Sequence, residues 1–498
     1  MSSPQSSSTG IALLPDRPSN RYEAAPLQAF TRLPSYTWLV VGVTCIGAFI
    51  GQLDASIVQL ALPALERQFR SNLTTVGWVA IAYLLAFSVA LPAFSRLSEM
   101  FGRKSLYIAG YVVFTGASLM CGFASDLRHL IVFRLIQGVG GALLGANSLT
   151  ILVKAAGPQK RGRAMGLAAA AQAVGISAGP VVGGLLLANL GWRWVFWVSV
   201  PFGIAGVIAG WLILPQTVEP SVDKRFDWWG VVLLTPALTS VVLLLSELHS
   251  WSPTSPALIL TALTALVLFP CFVWWEHRAP SPLIDLHLFH IPEFSGGIVA
   301  VNLSYALLYA MFFLMSFAFL RGLNDSAVSA GLHLAVVPVF LGLMAPFSGA
   351  LSERFGSRIM TTFGMAISLG AILLLGFHLA GGNELEILGA LAVFGLGLGM
   401  FIAPNNSATI AAAPGNRSGE AGGLLNLMRV MGCMLGVAAA STTLSWRIQI
   451  LTGREGKTLG LLSHTVLVAV SGVFWVLAAF AIVAGIAALF RKPQQAKA

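Results

Sequence analysis

The stretch RAMGLAAAAQAVGISAGPVVGGLLLA, Arg163 to Ala188, decides how the chain is read. As a helix rising ~1.5 Å per residue it reaches roughly 39 Å, enough to cross the hydrocarbon core of a bilayer with some tilt. Gly175, Gly179 and Gly183 recur every fourth residue, so they form one slowly drifting stripe where another helix can approach backbone to backbone. Pro180 removes a backbone donor inside that contact, which predicts a bend. Spacing alone is that of an ordinary small-residue packing seam, the commonest use of spaced glycines in membranes.

Composition extends the reading to the whole chain. Of 498 residues, 56% are hydrophobic and 10% charged, and the mean hydropathy is +0.82. That is a polytopic membrane protein embedded in a lipid bilayer, not a soluble domain. Cys45, Cys121, Cys271 and Cys433 all fall in apolar segments without disulfide or metal spacing, so redox chemistry is not expected. The net charge of +10 sets membrane topology here and needs no nucleic acid as partner.

Residues 1–35, rich in Ser and Pro and without the apolar core of a signal peptide, are expected to be a disordered cytoplasmic tail, with a second tail at 491–498. Apolar segments follow at about 37–60, 74–94, 104–124, 128–150, 163–188, 194–214, 228–247, 256–275, 296–320, 328–351, 358–380, 386–409, 420–445 and 463–490. Placing the N-terminus inside puts 19 of the 29 Lys and Arg in cytoplasmic segments and 8 outside, with Arg134 and Arg429 within spans. Both termini are therefore expected in the cytoplasm.

An internal repeat sets the architecture. SRLSEMFGRK at 95–104 follows the second segment and GALSERFGSR at 349–358 follows the tenth, agreeing at five of ten positions. If the loop marks the same place in each half, eight segments precede the second half, six of them belonging to the first repeat. The expected fold is an all-α membrane protein of 14 transmembrane helices. It comprises a six-helix bundle over 36–214, two inserted helices with cytoplasmic linkers over 215–295, and a second six-helix bundle over 296–490.

Particular stretches carry a family likeness. QLDASIVQLALPAL at 52–65, GWVAIAYLLAFSVALP at 77–92, FRLIQGVGGALLG at 133–145, GISAGPVVGG at 175–184, GWRWVFWVSVPFG at 191–203, FDWWG at 226–230, PLIDLHLF at 282–289 and AGGLLNLMRVMGCMLGVA at 421–438 are the ones. Over about 37–490 the chain resembles the fourteen-spanner drug:proton antiporters of the major facilitator superfamily, the EmrB/QacA type. The resemblance implies a major facilitator fold and secondary active export of hydrophobic or amphipathic compounds in exchange for protons, by alternating access of two bundles in the plasma membrane. It identifies Gly175, Gly179, Pro180, Gly183 and Gly184 with the antiporter motif. Glu99, Gly102 and Arg103, with Glu353, Arg354 and Gly356 in the repeat, match the gate motif, whose salt bridges latch one conformation. Ser95, Glu99 and Gln59 depart from the usual Gly, Asp and Asn at their positions. No cofactor is implied; the partners are a small-molecule substrate and protons, with a periplasmic adaptor protein admitted if the cell is Gram-negative.

An intramembrane charge costs ~2.5–3.5 kcal/mol on insertion scales, so Asp54, Arg134 and Arg429 are expected to face a cavity or a partner. A carboxylate that alternates between a wet cavity and a drier, differently paired site can load and release a proton, which makes Asp54 the proton-coupling candidate. A static structural pairing is its alternative. Arg134, permanently charged with five donors, can organise the bundle interior, with Gln137 one turn along. Glu420, close to Arg417, fits an interfacial position better than proton transfer. Gln59, Trp78, Tyr83, Gln137, Asn147, Gln172, Asn302, Tyr305, Asn405, Asn426 and Arg429, with Asn406, are candidates to line a substrate cavity or to act as interhelical glue. His333 and His378 fall near outer helix ends and are set aside. An enzyme is not expected, since neither HExxH nor Cys/His metal spacing occurs and GISAG lies mid-helix, away from any strand-to-helix turn. The alternatives to multidrug export are an exporter of one metabolite or siderophore, or a transport-inactive membrane sensor.

Overall fold

The computed structural model describes residues 23–216, 226–247, 251–252, 254–453 and 456–489, apart from the side chain of Asn416. Residues 1–22 and 491–498 of the expected tails, Lys224 and Arg225 of the first linker, and Arg454 lie outside the described residues. Thirteen described helices are long and apolar enough to cross a membrane. The longest, Leu127–Asn189, merges two of the expected spans into one 63-residue run broken at Gly157, where φ is 66° and ψ 175°. A positive φ there, followed by Pro158, turns the chain between two limbs. We number α1 (Tyr36–Phe69), α2 (Leu73–Phe101), α3 (Arg103–Gly122), α4 and α5 (the limbs 127–156 and 158–189), α6 (Arg193–Ile213), α7 (Trp228–Glu247), α8 (Pro256–Glu276), α9 (Pro292–Gly322, ending in a π turn), α10 (Ala327–Phe355), α11 (Ser357–His378), α12 (Glu384–Ala412), α13 (Ser418–Thr452) and α14 (Ser463–Leu489).

The packing repeats with an offset of eight helices. In the first set α1 lies along α5, α2 and α3 along α4, and α3 along α6; in the second, α9 lies along α13, α10 and α11 along α12, and α11 along α14. The sets meet where α2 packs on α13, α5 on α10, and α1 on α9. Of the inserted pair, α7 rests on both α2 and α13, while α8 packs on α7 and turns Leu260, Leu266 and Phe269 outward, as a lipid-facing helix would. The repeated loops also share a backbone conformation. Gly102 (φ 106°, ψ 133°) joins α2 to α3 and Gly356 (φ 87°, ψ 145°) joins α10 to α11, so the glycine common to both halves is required by a region closed to other residues.

Glycines set the closest approaches. A Cβ at Gly175 would meet Phe49 O at 2.6 Å, one at Gly179 would strike Ser56 Oγ, and one at Gly183 would meet Ile57 Cγ1 at 2.8 Å, so this stripe is seated on α1. The neighbouring face belongs to the other bundle: Gly184 lies against Ala327 O, and Pro180 O against Gly331. α5 is thus wedged between α1 and α10, with small residues on both sides.

The end of the expected tail is ordered. Gln28–Thr31 forms a short helix, and Glu23 is buried, its Oε1 accepting from the Lys104 and Ser105 amides at the start of α3 at 3.1 and 3.3 Å. Lys104 Nζ donates to the carbonyls of Ala24, Trp211 and Leu214, which ties this strap to the C-terminal end of α6. A carboxylate at one helix start and an ammonium at another helix end both complement the backbone charge.

The seam makes a direct prediction. Gly179→Leu should cost about 1–3 kcal/mol or more through overpacking, seen as a lowered Tm and yield in detergent. Gly166→Leu, on the same limb where a Cβ meets nothing within 4 Å, is the control. Equal behaviour of the two variants would remove the seam argument.

Candidate functional site

Three candidate residues converge in the first bundle. Asp54 on α1 accepts from Arg134 Nη1 through Oδ2 at 2.6 Å and from Gln137 Nε2 through Oδ1 at 2.8 Å. Arg134 also donates from Nη1 to Gln137 Oε1 at 2.7 Å and from Nε to the Val79 carbonyl of α2 at 2.9 Å. Its guanidinium stands 4.4 Å from the centre of the Tyr83 ring. Asp54 and Arg134 are each 1% exposed. Two charges so deeply placed persist only because each is paired and hydrogen-bonded. Local sequence makes the approach feasible: Gly138 lies against the Tyr83 carbonyl and Gly140 against the Phe114 backbone, drawing α2 and α3 onto α4 around the arginine.

A second polar contact crosses between the bundles. Arg429 Nη1 on α13 donates to Gln172 Oε1 on α5 at 2.9 Å, and its guanidinium stands 5.9 Å from the centre of the Tyr305 ring. Asn406 keeps an unpartnered, buried Oδ1 and Asn426 is half-buried. Other amides and aromatics serve as glue. Asn302 Nδ2 donates to Met428 O, Asn405 Nδ2 to Gly297 O, and Asn147 Nδ2 to Leu143 O within its own helix. Trp78 Nε1 reaches Glu247 of α7 at 3.3 Å, which places it at the inserted helix. Gln59 is 1% exposed with neither amide atom partnered.

Of the two gate-motif loops, the first shows ion pairs within its own bundle. Glu99 binds Arg96 at 3.0 Å and Arg103 at 3.3 Å, both within its own bundle, and Glu353 is exposed while Arg354 lies over Phe355. A latch between bundles forms instead at the opposite end, from residues that sequence reading passed over. Glu66 of α1 is fully buried; Thr458 donates to it through its amide at 2.7 Å and through its hydroxyl. Arg321 at the end of α9 donates to the Pro63 carbonyl at 2.7 Å and stands 4.0 Å from Glu66. Leu73 N donates to Gly456 O at 2.9 Å beside them. α1 runs nine residues past its expected end at 60, so Glu66 belongs to the helix and not to a loop. Glu66 and Arg321, charged residues flanking apolar runs, are the available signal.

The buried pair predicts strong coupling in stability. Arg134→Leu should cost about 3–5 kcal/mol by leaving a buried carboxylate unpaired, and adding Asp54→Asn should recover part of it. Thermal unfolding of the two single variants and the double variant checks this; additive effects would show that the two charges do not depend on each other.

Comparison with known proteins fits this geometry. The riboflavin transporter RibZ of Clostridioides difficile (strain 630) is 32% identical over 407 residues, covering 81% of this chain and 88% of that one. The tetracenomycin C resistance and export protein of Streptomyces glaucescens is 28% identical, covering 82% and 76%. A multidrug resistance protein B homolog of Mycobacterium tuberculosis (strain ATCC 25618 / H37Rv) is 27% identical, covering 88% and 82%. Among solved structures, a bacterial homolog of the human lysosomal transporter Spinster, inward-facing and unoccupied, superposes with a TM-score of 0.65 at 14% identity, covering 92% of this chain and 96% of that one. The Major Facilitator Superfamily profile matches residues 44–437. With two packed sets of helices meeting along α2, α5, α10 and α13, and with relatives that are transporters along most of its length, the chain belongs to the Major Facilitator Superfamily.

Proposed function

We propose that this protein exports hydrophobic or amphipathic compounds in exchange for protons, as a fourteen-span antiporter with both termini in the cytoplasm. The limbs of the broken helix count as separate spans in this reading. The observation that carries it is the buried Asp54–Arg134–Gln137 cluster. Protonating Asp54 cancels its attraction to a guanidinium that stays charged, so the tie of α1 to α4 is reduced from an ion pair to neutral hydrogen bonds; deprotonation restores it. A group whose charge decides which helices are held together can exchange a proton gradient for a change of access. With the termini inside, the Glu66–Thr458 latch closes the outer end, and the Arg429–Gln172 contact beside Tyr305 joins the bundles. The relatives named for multidrug resistance and tetracenomycin export support efflux. A second reading, a carrier dedicated to one metabolite, is favoured by the relative named as a riboflavin transporter.

Asp54→Asn should abolish proton-driven drug movement in energised inverted vesicles loaded with equal amounts of folded protein, because the amide keeps the shape and cannot ionise. Efflux equal to wild type would sink the coupling role. A growth-inhibition panel on a deletion strain separates broad from single-substrate export. Glu66→Ala should shift the population toward an outward-open form, read as faster labelling of a single cysteine at Gln59; unchanged labelling would deny the latch its part in access.

A further inference from the structure

The inserted helix pair carries a second acidic site, far along the chain from Asp54. Asp227 stands just before α7 and Glu276 is the last residue of α8; they are 8% and 4% exposed. One oxygen of each carboxylate is occupied. Asp227 Oδ1 accepts from the Gly230 amide and from Trp275 Nε1, both at 2.8 Å, and Glu276 Oε2 accepts from the Ile284 amide at 3.3 Å. The other two oxygens, Asp227 Oδ2 and Glu276 Oε1, are buried without a hydrogen-bond partner. They converge on Gly230: a Cβ there would stand 2.5 Å from the first and 3.0 Å from the second.

Two ionised carboxylates with converging, unpartnered oxygens repel each other, and burial adds to the cost. A single proton between them removes the repulsion and turns one orphan acceptor into a donor for the other. A calcium ion is a poorer fit, since it takes six to eight oxygen ligands and among the described residues only two unpartnered carboxylate oxygens converge here. Surrounding charges are engaged elsewhere. His277 Nδ1 contacts the Val273 carbonyl, Arg278 stacks on Trp274, and His290 lies beside His287. Partial burial opposes the ionisation of Asp285, but its bonds to His287 and the charge of Arg417 prevail and hold its carboxyl below the usual range. Glu420 stands three residues beyond Arg417 at the start of α13, and Glu293 lies in the first turn of α9. No ion pair among the described residues reaches Asp227 or Glu276.

We infer that Asp227 and Glu276 form a proton-binding site, holding one shared proton that fastens the start of α7 to the end of α8 and to the turn at Ile284 leading into α9. Because α7 rests on both α2 and α13, the site reports proton activity at the Gly102 end to the junction of the two bundles. It is independent of proton coupling at Asp54.

The test is made on the full chain in detergent. A proton bound in the folded state stabilises at low pH, and that stability is lost as pH rises through the site's titration. Between about pH 5 and pH 9, Tm should therefore include a falling component, and infrared difference spectra should show a protonated carboxyl band lost at high pH. Glu276→Gln, whose amide can donate to Asp227 Oδ2 at every pH, should remove both the band and the falling component while folding normally. Asp54→Asn should leave both in place. Persistence of band and slope in Glu276→Gln would overturn the proposal. So would a Tm that follows sodium or potassium concentration at fixed pH, or a wild type without the band in which Arg225→Gln makes it appear, which would assign the orphan oxygens to a guanidinium.

Discussion

A guanidinium buried at 1% exposure in the middle of a membrane bundle constrains nearly everything around it. Arg134 cannot shed its charge, so three helices must deliver acceptors to it: α1 through Asp54, α2 through the Val79 carbonyl, α4 through Gln137. Each acceptor fixes the rotation of its helix, and the glycines of α4 then follow, because a bulkier residue would hold α2 and α3 out of reach. Hydrophobic burial does little to choose among helix arrangements in lipid, so specificity rests on such polar contacts and on small-residue seams. The ion pair gives limited net stability and a great deal of geometry.

Two kinds of contact join the bundles, and they differ in how easily they let go. The seam of α5 on α10 is backbone against backbone, with Gly184 and Gly331 as its closest points, and can roll or slide without losing a hydrogen bond. The Glu66 contacts are directional and break outright when the ends separate. A pivot of the first kind beside a clasp of the second is what a rocking pair of bundles requires. The first gate-motif loop has two ion pairs within its own bundle, Glu99 with Arg96 and with Arg103.

The spans, the repeat and the identity of the buried charges are legible in the sequence, because hydropathy, a ten-residue loop motif and the cost of an intramembrane charge are all local signals. The meeting of Asp54, Arg134 and Gln137 is legible only in part, since the cost of burial demands a cavity or a partner for each charge without naming which. The Glu66 contact is not legible: its partner Thr458 is 392 residues away, and both sit where apolar pattern ends. Amides mislead for a different reason. Asn302 and Asn405 look like ligand-facing groups, yet a carbonyl freed by a close helix crossing is as good a partner as any substrate. The joining of spans 128–150 and 163–188 into one run is also hidden, because Gly157-Pro158 signals a break without saying that helix resumes at once.

The strap from Glu23 to Tyr36 has a practical consequence. Lys104 is held by carbonyls from both the strap and α6, and Tyr36 donates to the Ile213 carbonyl, so the first ordered residues are part of the bundle's end plate. An affinity tag or fluorescent protein fused ahead of residue 23 leaves that plate whole. Starting translation beyond it strips the carboxylate from the first amides of α3 and leaves a buried ammonium short of an acceptor, right beside the Gly102 turn. Choice of start codon is thus a choice about the stability of the first bundle.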